Sequence, residues 1–366
     1  MTRVVFFIDH LRADGSQRVL CQLARGLIAR GHGLAVVALN DSWDAAIVEQ
    51  LRRAGARLRI VGKRALAGGY GLVSLLAWLR RERFDAAVTM LFASDVLGRA
   101  LARAAGVPRV VSSIRARNVN YGLWQLLLVR ATMPLADAVV VNGWATREFA
   151  VAAEGARPER LVYIPNGVDS EAYARPMDRA ALRAELGLPP EAQLIGSVGR
   201  LTRQKGLDVL LDALAAPALA DVHALLAGAG EEEGRLRAQA ERLGLDGRVH
   251  FVGYRRDVPR LLGALDLYVH PARFEGMSNA LLEAMAAGCP IVATNVDGSS
   301  ELIGDGAHGW LVPAEQSGAL AAAVAAALGD PAEARRRGEA ARERARRCFG
   351  LDVMVRRWEQ VLYAAP

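Results

Sequence analysis

The feature that most limits the fold of this chain is a rhythm of short apolar runs separated by longer amphipathic stretches. In the first half the apolar runs fall at 3–8, 33–39, 57–60, 86–90, 109–113 and 138–141. Runs that are apolar almost throughout predict strands buried on both faces, as in parallel sheets. The stretches between them, 17–30, 44–54, 72–83 and 95–105, read as helices; Val19, Leu20, Leu23, Leu27 and Ile28 share one face of the first. Strands alternating with helices in this way predict a doubly wound α/β unit.

The rhythm pauses at Tyr163-Ile164-Pro165-Asn166-Gly167-Val168-Asp169, where Pro, Asn-Gly and Asp mark a turn or linker. It then restarts, with strands expected at 193–198, 222–227, 248–252, 267–270 and 290–293 and helices at 206–216, 231–243, 257–265 and 278–287. Two Rossmann-like parallel-sheet domains, 1–165 and 166–349, are therefore expected in a chain of 366 residues, about twice the length of one domain. The last part, 314–363, is rich in Ala and Arg and helical in pattern. Met354, Trp358, Val361 and Leu362 recur there at helical spacing, a face that has to dock on another surface.

Composition narrows the function. A chain with 52% hydrophobic and 23% charged residues is too apolar to be disordered. It holds no run of about 18 uncharged apolar residues, as a spanning helix would need. The nearest approach, 123–141, is broken by Arg130, Pro134 and Asp137. Met1-Thr2-Arg3 leads straight into the first strand, so no secretory leader is expected. Cys21, Cys289 and Cys348 lie far apart without metal-ligand spacing, which points to a reducing, cytoplasmic compartment. The net charge of +7 is uneven: residues 1–165 hold 23 Lys and Arg against 12 Asp and Glu, the remainder 23 against 27. A basic half suits an anionic partner, whether a phosphorylated substrate, a membrane surface or nucleic acid. Only Lys63 and Lys205 are lysine, so part of the excess reflects arginine scattered over solvated faces. Nucleic acid is disfavoured, because no aromatic-interleaved basic motif is present.

Several segments carry chemistry. Asp14-Gly15-Ser16-Gln17 links the first strand to the first helix, where Gly lets backbone approach a ligand and the helix N-terminus favours an anion. No Walker A loop exists, because Lys205 is followed by Gly206 rather than Ser or Thr. Gly228-Ala229-Gly230-Glu231-Glu232-Glu233-Gly234 imitates a dinucleotide fingerprint. Its spacing is one residue too long, and its carboxylates sit where a pyrophosphate would bind. In Ser197-Val198-Gly199-Arg200-Leu201-Thr202-Arg203-Gln204-Lys205-Gly206, Arg200 and Lys205 occupy a strand-to-helix loop suited to gripping a diphosphate. Phe274-Glu275-Gly276-Met277-Ser278-Asn279-Ala280-Leu281-Leu282-Glu283 places Glu275 in the loop beyond strand 267–270, at the carboxyl edge where such sheets hold ligands. Ser278 is the expected N-cap of the next helix, and Glu283 lies farther along it.

The pairing of Gly199-Arg200 and Lys205-Gly206 with Glu275 and Glu283, eight residues apart, resembles the retaining glycosyltransferases of family 4, which have the GT-B fold. The resemblance extends over Asp14-Gly15-Ser16-Gln17-Arg18-Val19, Pro165-Asn166-Gly167-Val168-Asp169, 294–301 and Gly309-Trp310-Leu311-Val312-Pro313. It implies two Rossmann-like domains facing a central cleft. The second binds a nucleotide-sugar donor, the first an acceptor, and a C-terminal helix at about 350–366 crosses back to the first. By the same resemblance Arg200 and Lys205 hold the donor diphosphate, Glu275 contacts the transferred sugar, and Gly276, Met277, Ser278 and Asn279 supply loop contacts. Glu283 binds the ribose, Gly199 and Gly15 approach the donor, and the base lies against Gly253-Tyr254-Arg255-Arg256.

Two positions depart from the family pattern. Asp14 replaces the first of a usual double Gly, and is expected to point away from the donor phosphates or to meet a sugar hydroxyl. Thr89-Met90-Leu91-Phe92-Ala93-Ser94-Asp95 lacks the His many members carry after the fourth strand. The Ser113-Ile114-Arg115 segment resembles instead members acting on lipid-linked or surface-polysaccharide intermediates, so Ser113, Arg115 and Asn118 are expected to line the acceptor site, with His10 nearby. The expected activity is transfer of a hexose or N-acetylhexosamine from a nucleotide-diphosphate donor, UDP-sugar before GDP-sugar, to a glycan or polyprenyl-diphosphate-linked acceptor, with retention. No Asp-x-Asp pair is present, so neither a metal nor another cofactor is expected. Domain closure about 165–169 would expel water. An anionic inner-leaflet surface is an expected further partner, through 121–128 beside Arg115, Arg117 and Arg130. The rival readings are a sugar-nucleotide epimerase or phosphorylase of the same fold, or a basic membrane-surface binding protein.

Overall fold

A computed structural model describes residues 2–118, 120–173, 179–189, 191–304 and 306–364. The chain divides into two units, one of residues 1–167 with 351–366, the other of 168–350.

The first unit holds a seven-stranded parallel sheet in the order β3-β2-β1-β4-β5-β6-β7. The strands are β1 (Arg3–Ile8), β2 (Gly33–Ala38), β3 (Arg57–Ile60), β4 (Ala86–Met90), β5 (Arg109–Ile114), β6 (Ala138–Val141) and β7 (Leu161–Tyr163). In β1, the residues Val4 to Ile8 have no solvent exposure, as the apolar pattern requires. β3 lies at the edge, where Arg57 and Arg59 protect an unpaired strand from further pairing. The helix expected at 95–105 begins as a π-turn, Ser94–Gly98, and continues as Arg99–Ala104. Asp9, just past β1, accepts the N–H groups of Ala93 at 3.0 Å and Ser94 at 2.7 Å and so fixes that turn.

The C-terminal helix Leu351–Tyr363 belongs to this first unit. Its apolar face supplies Met354, Val355, Trp358, Val361 and Leu362 to the same core as β1 and the Gly15–Ala29 helix. Trp358 has no exposure at all. Arg109 Nε donates to Val361 O at 3.1 Å, and Arg30 and His32 both meet Glu359.

The second unit holds a six-stranded parallel sheet, β10-β9-β8-β11-β12-β13. Its strands are β8 (Gln193–Val198), β9 (Val222–Ala227), β10 (Val249–Gly253), β11 (Leu267–His270), β12 (Ile291–Thr294) and β13 (Trp310–Val312). In both sheets the order reverses beside the first strand, between β1 and β4 and between β8 and β11. The crevice outside the carboxyl ends at such a reversal is where doubly wound sheets take ligands. The short strands β7 and β13, three residues each, carry no apolar run long enough to be read from the sequence. Residues 314–363 resolve into three helices, Ser317–Gly329, Pro331–Phe349 and Leu351–Tyr363.

Candidate functional site

The loops after β8 and β11 meet at the reversal of the second sheet, and glycines allow the close contacts, Gly206 against the β11 loop and Gly228, after β9, against the β8 loop. A Cβ on Gly206, whose φ is +63°, would lie 2.0 Å from the carbonyl oxygen of Pro271. A Cβ on Gly228 would lie 1.7 Å from that of Gly199. The Gly228-Ala229-Gly230 segment is thus a seat for the β8 loop: Gly199 N–H donates to Ala227 O at 2.9 Å and Leu201 N–H to Ala229 O at 3.0 Å. That is a structural reason for glycines whose spacing imitates a dinucleotide fingerprint.

The approach brings Lys205 onto Glu275. Lys205 Nζ donates to Glu275 Oε2, and Gln204 Nε2 donates to Glu275 Oε1 at 3.3 Å and to Phe274 O at 3.0 Å. His270 Nε2 stands 3.6 Å from Glu275 Oε2. Burial alone would raise the Glu275 pKa, but Lys205 and His270 outweigh it and hold the carboxyl at about 2. His270 is pushed below its ordinary value by burial and by Lys205, against the opposing pull of Glu275. The result is a fixed, desolvated ion pair at the carboxyl edge of the sheet.

Arg200 and Lys205, both expected to hold the donor diphosphate, differ in their surroundings. Arg200 is exposed and has no carboxylate partner among the described residues, whereas the Lys205 charge is already compensated by Glu275. Beyond Glu275 the chain runs through Gly276 and the buried Met277 to Ser278, whose Oγ accepts the N–H of Leu281 at 3.3 Å. Ser278 therefore caps the Asn279–Ala287 helix, whose positive end follows directly on the loop. Glu283 is half-buried on that helix. Tyr268, fully buried in β11, has its phenol pushed up by burial, then by Glu283 and Glu275, and donates to Val198 O at 3.4 Å. It also stacks on His270. Tyr268 and His270 were not singled out in the sequence, because inside a buried strand they read as core.

Gly253 ends β10 and Tyr254 and Arg255 follow it; Gly253 O accepts the N–H of Gly228 at 2.8 Å, so they adjoin the same edge. Tyr254 is exposed. The Arg255 guanidinium is committed to both oxygens of Asp257, at 2.8 and 2.7 Å, and to Glu185 at 3.0 Å.

The first unit gathers its own expected residues at the carboxyl edge of its sheet. Gly15 opens the Gly15–Ala29 helix, and the Asp14 side chain makes no capping bond to it. His10 is held by Gln17 Nε2, 3.1 Å from Nδ1, and by Arg12. Arg115 donates to Asn166 Oδ1, its backbone oxygen accepts from Asn142 at 3.1 Å, and burial lowers its pKa to about 10. Ser113 is buried. Asn118 Nδ2 donates to Glu154 Oε1 at 2.7 Å. Burial raises the Glu154 carboxyl to about 7 against the opposing hydrogen bond from Asn118. Glu154 has no motif around it, and only its burial marks it out. Among the described residues no three His, Cys, Asp or Glu side chains gather as a metal-ligand set.

Two family models match the chain, Glycosyltransferase Family 4 over residues 13–172 and Glycosyl transferases group 1 over 178–344. Among curated relatives, the lipopolysaccharide core biosynthesis mannosyltransferase LpsB of Rhizobium meliloti is 34% identical over 52% of this chain and 59% of its own length. The UDP-Gal:alpha-D-GlcNAc-diphosphoundecaprenol alpha-1,3-galactosyltransferase of Escherichia coli is 28% identical over 66% of this chain and 65% of its own. The matches thus span less than two thirds of these relatives. Anabaena HepE, solved in complex with UDP and glucose, superimposes over 100% of both chains with a TM-score of 0.89 at 24% identity. With both units matched and the fold shared, the chain belongs to the glycosyltransferases of family 4 and has the GT-B fold.

Proposed function

We propose that this protein is a retaining glycosyltransferase that moves a hexose or N-acetylhexosamine from a nucleotide-diphosphate donor to a glycan or polyprenyl-diphosphate-linked acceptor, without a metal or other cofactor. The observation that carries this reading is the part-buried Lys205–Glu275 pair at the β8–β11 reversal, flanked by exposed Arg200 and followed by a Ser278-capped helix. Support for a UDP donor comes from the UDP and glucose bound to Anabaena HepE, and for a lipid-linked acceptor from the named substrate of the E. coli relative.

On this reading, breaking the anomeric C–O bond leaves negative charge on the departing nucleoside diphosphate. Arg200 offers a planar fork to that charge, and Lys205 lies beside it with its ammonium already desolvated and oriented. The helix that begins at Asn279 adds its positive end. Gly199, Gly276, Met277, Ser278 and Asn279 supply the close loop contacts, and Gly15 belongs to the donor set from the first unit. Glu275, held ionised, hydrogen-bonds hydroxyls of the sugar and favours the positive charge developing at its anomeric carbon. Glu283 takes the ribose hydroxyls, and Gly253, Tyr254 and Arg255 border the base. Ser113, Arg115, Asn118 and His10 line the acceptor region. The acceptor hydroxyl attacks from the face the leaving group departs, which retains configuration.

The test is release of nucleoside diphosphate from a panel of UDP- and GDP-sugars, with and without polyprenyl-diphosphate sugars. Acceptor-dependent release with an α-linked product from an α-linked donor supports the proposal. An epimerised donor, phosphate-dependent cleavage, or no release from any donor overturns it.

A further inference from the structure

His270 is the last residue of β11, and its ring is turned to the loop that carries Glu275. The residue is buried, with 1% exposure. Its Nε2 stands 3.6 Å from Glu275 Oε2, longer than a hydrogen bond, and makes none with any other group among the described residues. The ring is held in that place. Tyr268, two residues earlier on the same face of the strand, stacks on it with 6.2 Å between ring centres and 17° between planes. Thr294 Oγ1 donates to His270 O at 3.3 Å, and the carbonyl of Pro271 abuts Gly206. A leucine would fill the same space without orphaning a polar atom, so packing alone does not account for a histidine here.

The acceptor that Nε2 lacks is the carboxylate beside it. Glu275 Oε2 is held by Lys205 Nζ, and Oε1 by Gln204 Nε2 at 3.3 Å. A carboxylate only accepts hydrogen bonds, so it favours the imidazole tautomer with its proton on Nε2. On the transferase reading, a nucleoside diphosphate brings a second anion to the single Lys205 ammonium and draws Nζ toward the phosphates. The Glu275 side chain is only 11% exposed, and a carboxylate so placed is strongly disfavoured once its charged partner leaves. An approach of less than about 1 Å between Nε2 and Oε2 would make a hydrogen bond of normal length. We propose that His270 is a positioning residue: it donates from Nε2 to Glu275 as Lys205 engages the leaving diphosphate, and so keeps the carboxylate aimed at the transferred sugar. The bond tightens as the leaving group departs, and an interaction made at that stage raises turnover rather than affinity.

The inference rests on the donor reading, and one set of variants separates the two. His270→Leu removes the N–H at similar bulk, His270→Gln returns an amide N–H near the place of Nε2, and His270→Asn supplies one only near that of Nδ1. Kinetics use the sugar, from the panel of UDP- and GDP-sugars, that the unaltered chain turns over, with UDP and GDP affinities read by calorimetry. His270→Leu and His270→Asn should lower kcat roughly ten- to a hundredfold, with donor KM and nucleoside diphosphate affinity within about twofold of the unaltered chain. His270→Gln should recover most of the loss. Unchanged kcat in His270→Leu, a fall confined to KM or to nucleoside diphosphate affinity, or a loss that His270→Gln does not recover overturns the inference. If His270→Leu melts well below the unaltered chain, the His270→Asn and His270→Gln pair decides by the same criterion. An unaltered chain that binds neither UDP nor GDP and releases neither from any sugar overturns the donor reading and this inference with it, whereas active transfer with His270→Leu unimpaired overturns the role of His270 alone.

Discussion

Lys205 and Glu275 come from loops seventy residues apart in sequence and meet as a part-buried pair, and much of the site's electrostatics follows from that contact. Because Glu275 is held at about 2, below its ordinary 4.5, its charge adds stability above pH 4.5 that is lost as pH falls toward 2. The two glutamates should fail differently. On the proposed reading Glu283→Gln removes a charge-assisted hydrogen bond to ribose in ground and transition states alike, a loss of roughly 1.5–3 kcal/mol, and should mainly raise donor KM. Glu275→Gln should act mainly on kcat, with nucleoside diphosphate affinity little changed. Steady-state kinetics at saturating acceptor would check this, and the reverse pattern would exchange the two roles. Glu154 offers a second test. Its carboxyl is raised to about 7, so the folded protein carries a growing penalty as pH rises from 4.5 to 7. Glu154→Gln should therefore stabilise the protein at pH 8 by about 2–3 kcal/mol and leave it nearly unchanged at pH 4.5, as read by melting at both pH values. Glu275 was legible because its loop and the Ser278 cap have sequence signals. Glu154, Tyr268 and His270 were not, because burial and neighbours give them their properties and no local pattern records either.

At the level of elements, most strands were legible to within a residue or two, because apolar runs and helical periodicity are local signals. The three-residue strands β7 and β13 and the π-turn at Ser94–Gly98 depend on pairing with distant chain, and their residues look like any loop or helix. Glycine roles also depend on tertiary contact. Gly206 and Gly244 have nearly the same φ, +63° and +67°, yet a Cβ on Gly206 would strike Pro271 while one on Gly244 would meet nothing within 4 Å. Gly244→Ala should cost only the left-handed backbone penalty of about 1–2 kcal/mol and leave activity intact. Gly206→Ala should also displace the Lys205 loop and reduce kcat/KM by roughly tenfold or more, although no charge is changed. Melting temperatures and kinetics of the two variants separate the effects, and equal activity would show that the loop contact does not position Lys205.

For the whole molecule, the chain leaves its first unit near Gly167 and returns at Leu351. The N–H of Val168 donates to Phe349 O at 2.8 Å, which ties the two crossings together. The sequence showed that the face of Met354, Trp358, Val361 and Leu362 had to dock. Where it docks was not a matter of pattern but of the core it completes around Phe6 and Leu27. The central claim, that the β8–β11 reversal holds a nucleoside diphosphate, is tested most directly by calorimetric titration of UDP and GDP. The comparison is the unaltered chain against Arg200→Ala, Lys205→Ala and, as a control on an exposed helix, Arg346→Ala. Saturable binding of one nucleoside diphosphate is predicted, weakened by about ten- to a hundredfold in each of the first two variants and unchanged in the third. Unaltered affinity in both Arg200→Ala and Lys205→Ala, with the fold intact, would contradict the account.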